Sequence, residues 1–214
     1  MNTLATDSLS TFLSQPDIET SPAWEFIDGK SVQKPVPTLF HSRLQRNLVN
    51  YINRNTEQLE AIQKLRCIIP PYSPVPDIAV IARKRLIEED EAFQGSPDWL
   101  IEILSRGQSP ITLQNKILHC LSNGTQLAWL IDLKQKQIWV WEGENLPNIY
   151  SHQDSLPTLE NVPSLSVDNI IAMTGIVIPN KNHQVKSSES ILLSTSDRDG
   201  PTTETNGNDY KIKF

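Results

Sequence analysis

No apolar run in this 214-residue chain approaches the roughly 18 residues a membrane-spanning helix needs, and no basic segment followed by an apolar stretch opens it. A cytoplasmic protein without membrane contact is expected. Cysteine is scarce. Cys67 and Cys120 stand in apolar surroundings without C-x-x-C spacing, so they are read as small buried hydrophobes rather than a redox or metal motif or a disulfide. Glycine is outnumbered, 8 against 15 prolines, which points to many irregular connections. Positive charge is also short: 19 Lys and Arg face 25 Asp and Glu, for a net charge of −6. That balance argues against a DNA binder that works by phosphate neutralisation alone, and leaves room for a local basic face. What is there suffices for one well-buried domain, with 38% hydrophobic residues and no internal repeat.

Residues 1–20 read as a polar arm carrying a short amphipathic piece, Leu9 to Leu13, ahead of Pro16. W-E-F-I-D-G-K alternates and ends in Asp28-Gly29, which predicts a hairpin from Trp24 to Gln33 stopped by Pro35 and Pro37. Leu44, Leu48, Val49, Ile52 and Leu59 recur at helical spacing, so the longest helix is expected from Leu39 to about Ile62. Its polar face is expected to carry His41, Arg43, Arg46 and Arg54 in a locally basic segment that continues to Lys64 and Arg66.

Strands are expected at Leu65–Ile69, Asp77–Ala82 and Trp99–Leu104, with 88–97 a surface loop and 99–104 the central strand. Ser109-Pro110 opens a helix that Asn123-Gly124 closes. The segments 126–132 and 137–141 form a second hairpin. Strand, helix, strand suggests a crossover that sets 126–132 parallel to 99–104. A short strand near Asn148–Ser151 and a helix over Val167–Met173 complete an α/β domain at 21–178, a mixed sheet flanked by helices. Residues 179–214 are expected to be a disordered tail.

Two carboxylates carry the chemistry. V-P-D-I-A-V (75–80) and D-W-L-I-E-I-L-S (98–105) place Asp77 and Glu102 inside apolar strands, where an unpaired charge costs several kcal/mol. At roughly 4 Å such a pair repels by about 4 kcal/mol at an effective dielectric near 20, a cost that a shared divalent cation removes. Oxygen donors suit Mg²⁺ or Mn²⁺, and Lys116 on the following helix is the candidate for orienting or activating an attacking water. The same residues also suit purely structural roles at strand ends, and His41 at a helix start suits a cap or a core position.

F-L-S-Q-P (12–16), E-F-I-D-G-K (25–30), Q-K-P-V-P (33–37), H-S-R-L-Q (41–45), V-P-D-I-A-V, P-D-W-L-I-E-I-L-S, I-L-H-C-L (117–121) and G-T-Q-L-A-W-L-I-D (124–132) resemble the Uma-type restriction endonucleases. That group, without a characterised function, belongs to the PD-(D/E)XK nuclease superfamily. The resemblance runs through about residues 10–175. It implies a restriction-endonuclease-like core and a divalent-metal site on Asp77 and Glu102, with Glu25, His41, Arg43 and Arg46 as outer ligands or substrate contacts. DNA is the implied substrate, and analogy with relatives that cut both strands allows a homodimer.

One departure bears on activity. The superfamily pattern places lysine two residues after the acid, where this chain has Leu104, so Lys116 would have to serve from the neighbouring helix. Thr112 and Cys120 stand where many relatives carry an acid and a tyrosine. The expected activity is metal-dependent DNA hydrolysis, and the rival is a nuclease-fold module that binds nucleic acid or a protein without cutting.

Overall fold

A computed structural model of the chain describes residues 3–5, 8–87, 90–143 and 146–175. The tail expected at 179–214 lies outside them. Strand β1 (Thr3–Ala5) runs antiparallel to a later strand of the hairpin, a pairing the sequence did not announce. Helix α1 (Leu9–Leu13) is capped by the Ser8 side chain, which accepts from the Thr11 N–H. It is packed rather than loose: Phe12 is fully buried and stacks on Phe26 at 5.4 Å. A buried Phe is worth roughly 1.5–3 kcal/mol, enough to anchor a short helix that could not persist alone.

β2 (Trp24–Ile27) and β3 (Lys30–Gln33) form the expected hairpin. Its two-residue turn needs positive φ twice, and Asp28 (51°) and Gly29 (70°) supply it. α2 (Leu39–Asn55) starts at Thr38, whose side chain accepts the His41 N–H, and buries Leu44, Leu48, Val49 and Ile52. It stops seven residues short of the expected Ile62. Residues Leu59–Gln63 are instead a strand, β4, in which Leu59 and Ala61 face inward at period two. Leu59 stands seven residues after Ile52, so it satisfies both periods. The Asn53 side chain decides the matter by bonding both the N–H and the carbonyl of Ala61 (2.7 and 2.9 Å), which ties the strand beside the helix.

β5 shrinks to Cys67–Ile68, and it pairs in parallel with β7 (Phe93–Gln94), inside the segment expected to be loop. Between them β6 (Ile78–Ala82) enters the main sheet. β8 (Trp99–Ile103), α3 (Pro110–Ser122) and β9 (Leu127–Asp132) make the expected crossover, with β8 and β9 parallel. β10 (Gln137–Trp141), β11 (Asn148–Ser151) and α4 (Val167–Ala172) finish the domain.

The main sheet has the order β11-β10-β9-β8-β6-β4, so β8 is internal, as expected, and all neighbours except β8/β9 are antiparallel. Alternation gives each face its own core. Ile78, Val80, Trp99, Ile101 and Trp129 pack with α2 and α4, and Ala79, Ile81, Leu100 and Leu130 pack with Leu113, Ile117 and Cys120 of α3. Trp129 and Trp141 are core residues, Trp129 meeting Trp99 edge-on at 4.6 Å. Both cysteines are free and buried. Among the described residues no helix is long and apolar enough to cross a membrane.

Candidate active site

The antiparallel register of β6 on β8 pairs Ile78 with Ile101 and Ala79 with Leu100. One further step sets Asp77 across from Glu102, at the end of the sheet where β8 finishes. Past the last ladder pair the Asp77 side chain continues the pairing, its Oδ2 accepting the Ile103 N–H at 2.9 Å. Gln45 of α2 donates to the Asp77 carbonyl at 2.5 Å. Asp77 and Glu102 are 3% and 1% exposed, so their charges must be met inside the protein.

Two lysines meet them. Lys116 lies on the inward face of α3 and is 1% exposed. Its Nζ stands 2.8 Å from Glu102 Oε1 and 2.8 Å from Glu25 Oε1. Glu25 comes from β2 and also accepts the Val75 N–H at 2.7 Å. Lys34 follows β3, held in place by its own N–H on the Ala23 carbonyl at 2.9 Å. Its Nζ donates to the Val75 carbonyl (2.7 Å) and reaches Asp77 Oδ1 at 3.1 Å and Glu102 Oε2 at 3.5 Å. His41 completes the group, with Nε2 3.4 Å from Asp77 Oδ1 and Nδ1 3.3 Å from Ser105 Oγ.

The cluster thus holds three carboxylates against two ammonium groups. Burial opposes every charge here, and the partners decide the outcome. Around Asp77, Lys34 and His41 outweigh burial and hold the carboxyl well below its usual range. Around Glu25, burial is likewise overcome, by Lys116 and then Lys34. Glu102 goes the other way: burial, with Asp77 and Glu25 as like-charged neighbours, raises it despite both lysines. Both ammoniums are held above their ordinary range by the carboxylates, against burial. Both therefore stand beside the carboxylates as positive charges and hydrogen-bond donors.

Of the expected site residues, Asp77, Glu102, Lys116, Glu25 and His41 come together. His41 is 5% exposed, so it belongs to the buried face of α2 and not to the polar face on which the sequence placed it. Arg43 and Arg46 are exposed, about 200° and 140° round the helix from His41 at 100° per residue, and they stand apart from the cluster. The basic segment is further broken at Arg66, which is buried and donates to the Ile18 and Trp24 carbonyls, to Ser73 and to Glu19. Lys34 is the residue that sequence reasoning missed. It sat in a quoted motif, Q-K-P-V-P, but no local pattern marks it, because its nearest partner, Val75, is 41 residues away.

The other carboxylate of this strand segment is a useful control. Asp98 is also buried, yet Arg85 Nη1 (2.9 Å), the Ala82 N–H (2.7 Å) and the Gln126 amide (3.4 Å) satisfy it with one countercharge and two neutral donors.

A resident divalent cation passes a test of fit on donor chemistry. Asp77 and Glu102 offer carboxylate oxygens, the donors that hard cations take, and both already face one shared positive centre, the Lys34 ammonium. Among the described residues no group of three or more His, Cys, Asp and Glu is arranged to hold a metal.

Residues 9–173 match the family model Uma2, described as a putative restriction endonuclease. The chain belongs to the Uma2 family. Among solved structures, the Uma2 chain is similar to one described as a putative nuclease belonging to DUF820, from Anabaena variabilis ATCC 29413, with 35% identity and a TM-score of 0.71. The match covers 78% of this chain and 98% of that one. None of the curated proteins matches.

Proposed function

We propose that this Uma2 protein is a divalent-metal-dependent endonuclease that hydrolyses DNA phosphodiester bonds at the Asp77–Glu102 cluster. The observation that carries the reading is the crowding of buried ionisable groups: three carboxylates, two ammoniums and His41 converge at one sheet end, a costly arrangement that core packing does not require. Family membership and the nuclease-titled neighbour support the reaction class.

Asp77 and Glu102 would hold the ion, and a bound Mg²⁺ or Mn²⁺ supplies Lewis acidity toward water and the phosphoryl oxygens. The protein supplies placement. The Ile103 N–H fixes one Asp77 oxygen and leaves the other directed into the site. Glu25 holds Lys116 beside Glu102, where its ammonium orients an attacking water or offsets charge on the phosphate. Lys116 thus takes the part of the lysine replaced by Leu104. A groove of about 700 Å³ opens beside His41, lined among others by Thr38, Phe40, Ser105, Arg106 and Lys134. Arg106 and Lys134 are exposed and suit phosphates, and half-exposed Phe40 suits a base face.

Calorimetric titration of Mn²⁺ and Mg²⁺ into the wild type and Asp77→Ala/Glu102→Ala, with plasmid nicking on the same samples, tests the proposal. Saturable binding and nicking, both lost in the double variant, are expected. Binding without nicking would leave a nuclease-fold module, and no binding would leave the carboxylates structural.

A further inference from the structure

We propose that the Lys34 ammonium is a tethered stand-in for the divalent cation: it bridges Asp77 and Glu102 in the ion-free protein and swings away when an ion enters. This rests on the reading that those two carboxylates hold an ion.

The geometry carries the argument. An ammonium has three protons, and three oxygens surround that of Lys34: Val75 O at 2.7 Å, Asp77 Oδ1 at 3.1 Å and Glu102 Oε2 at 3.5 Å. One donor goes to the Val75 carbonyl, and the charge stands between two carboxylates that would otherwise repel each other. A divalent ion bridging those two oxygens, at about 2.0–2.1 Å from each, competes with the ammonium for the place between them, and Lys34 is the partner hinged to yield it.

Its flexible stem emerges at the end of a hairpin strand and lines two small cavities. One, of about 20 Å³, is bordered by Pro22, Ala23, His41, Lys64 and Asp77. The other, of about 30 Å³, is bordered by Glu25, Ile27, Val32, Thr112 and Lys116. Each has room for a group the size of a water molecule. Lys116 differs. It rises from the middle of α3, is 1% exposed, and is held by Glu25 as well as Glu102, so it stays when Lys34 moves. The site then has one fixed and one exchangeable ammonium, and ion affinity is set by competition with the second.

The test uses Lys34→Met, which keeps the length of the stem and removes the charge. Calorimetry should show Mn²⁺ binding at least about tenfold tighter than in the wild type. The ion-free variant should melt below the wild type, with the gap closing as Mn²⁺ saturates. A second reading uses wild-type protein with ¹⁵N-labelled lysine. Saturating Mg²⁺ should move the Lys34 ammonium signal from protected to solvent-exchanging while that of Lys116 persists, which decides the matter even if the variant does not fold. Equal Mn²⁺ affinity in both proteins, or an unmoved Lys34 signal, overturns the proposal and leaves the metal site standing. Absence of Mn²⁺ binding in every protein overturns both.

Discussion

The segment from Asp98 to Glu102 carries a buried carboxylate at each end, and the two ends are built differently. Asp98 meets one guanidinium, one backbone N–H and, at 3.4 Å, the Gln126 amide, so a single positive charge answers a single negative one. Glu102 meets two lysines that are themselves shared with Asp77 and Glu25. Burial and ion pairing are common to both. What separates them is excess: at the Asp98 end charge is matched, and at the Glu102 end like charges are crowded together. Crowding of that kind costs stability, and a fold keeps it where the charges have another use.

The largest way to break this contrast is Lys116→Met, which leaves Glu25 and Glu102 buried with Lys34 alone. It should cost about 3–5 kcal/mol in urea unfolding, and adding Glu25→Gln should restore part of that loss. Next come the two carboxylates. Asp98→Asn should destabilise by about 1–3 kcal/mol, because Arg85 loses its charged partner. Glu102→Gln should cost less than Lys116→Met, because the fold already disfavours the ionised form there and Glu25 and Asp77 keep both lysines paired.

A pH series sharpens the same point. Asp77 and Glu25 are held below the ordinary carboxylate range, so the stability they contribute is complete above an unfolded pKa of about 4 and is lost as pH falls below it. Urea midpoints between about pH 5 and pH 2 should therefore fall less steeply in Asp77→Asn than in the wild type. The smallest effect concerns the apolar layer that holds Leu100, between the two ends. Burial pushes the Cys67 thiol up to about 12 and raises Cys120 as well, so neither should react with a thiol reagent near neutral pH until urea exposes them.

Local pattern made much of the fold legible. The Asp28-Gly29 turn, the β8–α3–β9 crossover and the Asn148–Ser151 strand follow from residues adjacent in sequence. The end of α2 did not, because Leu59 fits two periods and a side chain two residues before the helix end, Asn53, decides between them. In the site, Asp77 and Glu102 stood out as polar residues inside apolar strands. Lys34 and the buried orientation of His41 did not, because their partners come together only through the sheet register. The sequence set Glu102 inside a strand and Asp98 just before it, and the three-dimensional structure adds that like charge is crowded at Glu102 alone of the two.

The measurement closest to the central claim compares Asp98→Asn with Glu102→Gln in Mn²⁺ titration and plasmid nicking on the same samples. Glu102→Gln should stay folded yet lose ion binding and at least about 100-fold in nicking, while Asp98→Asn, though less stable, should bind and cut as the wild type does. Wild-type binding and cutting by Glu102→Gln would contradict the account.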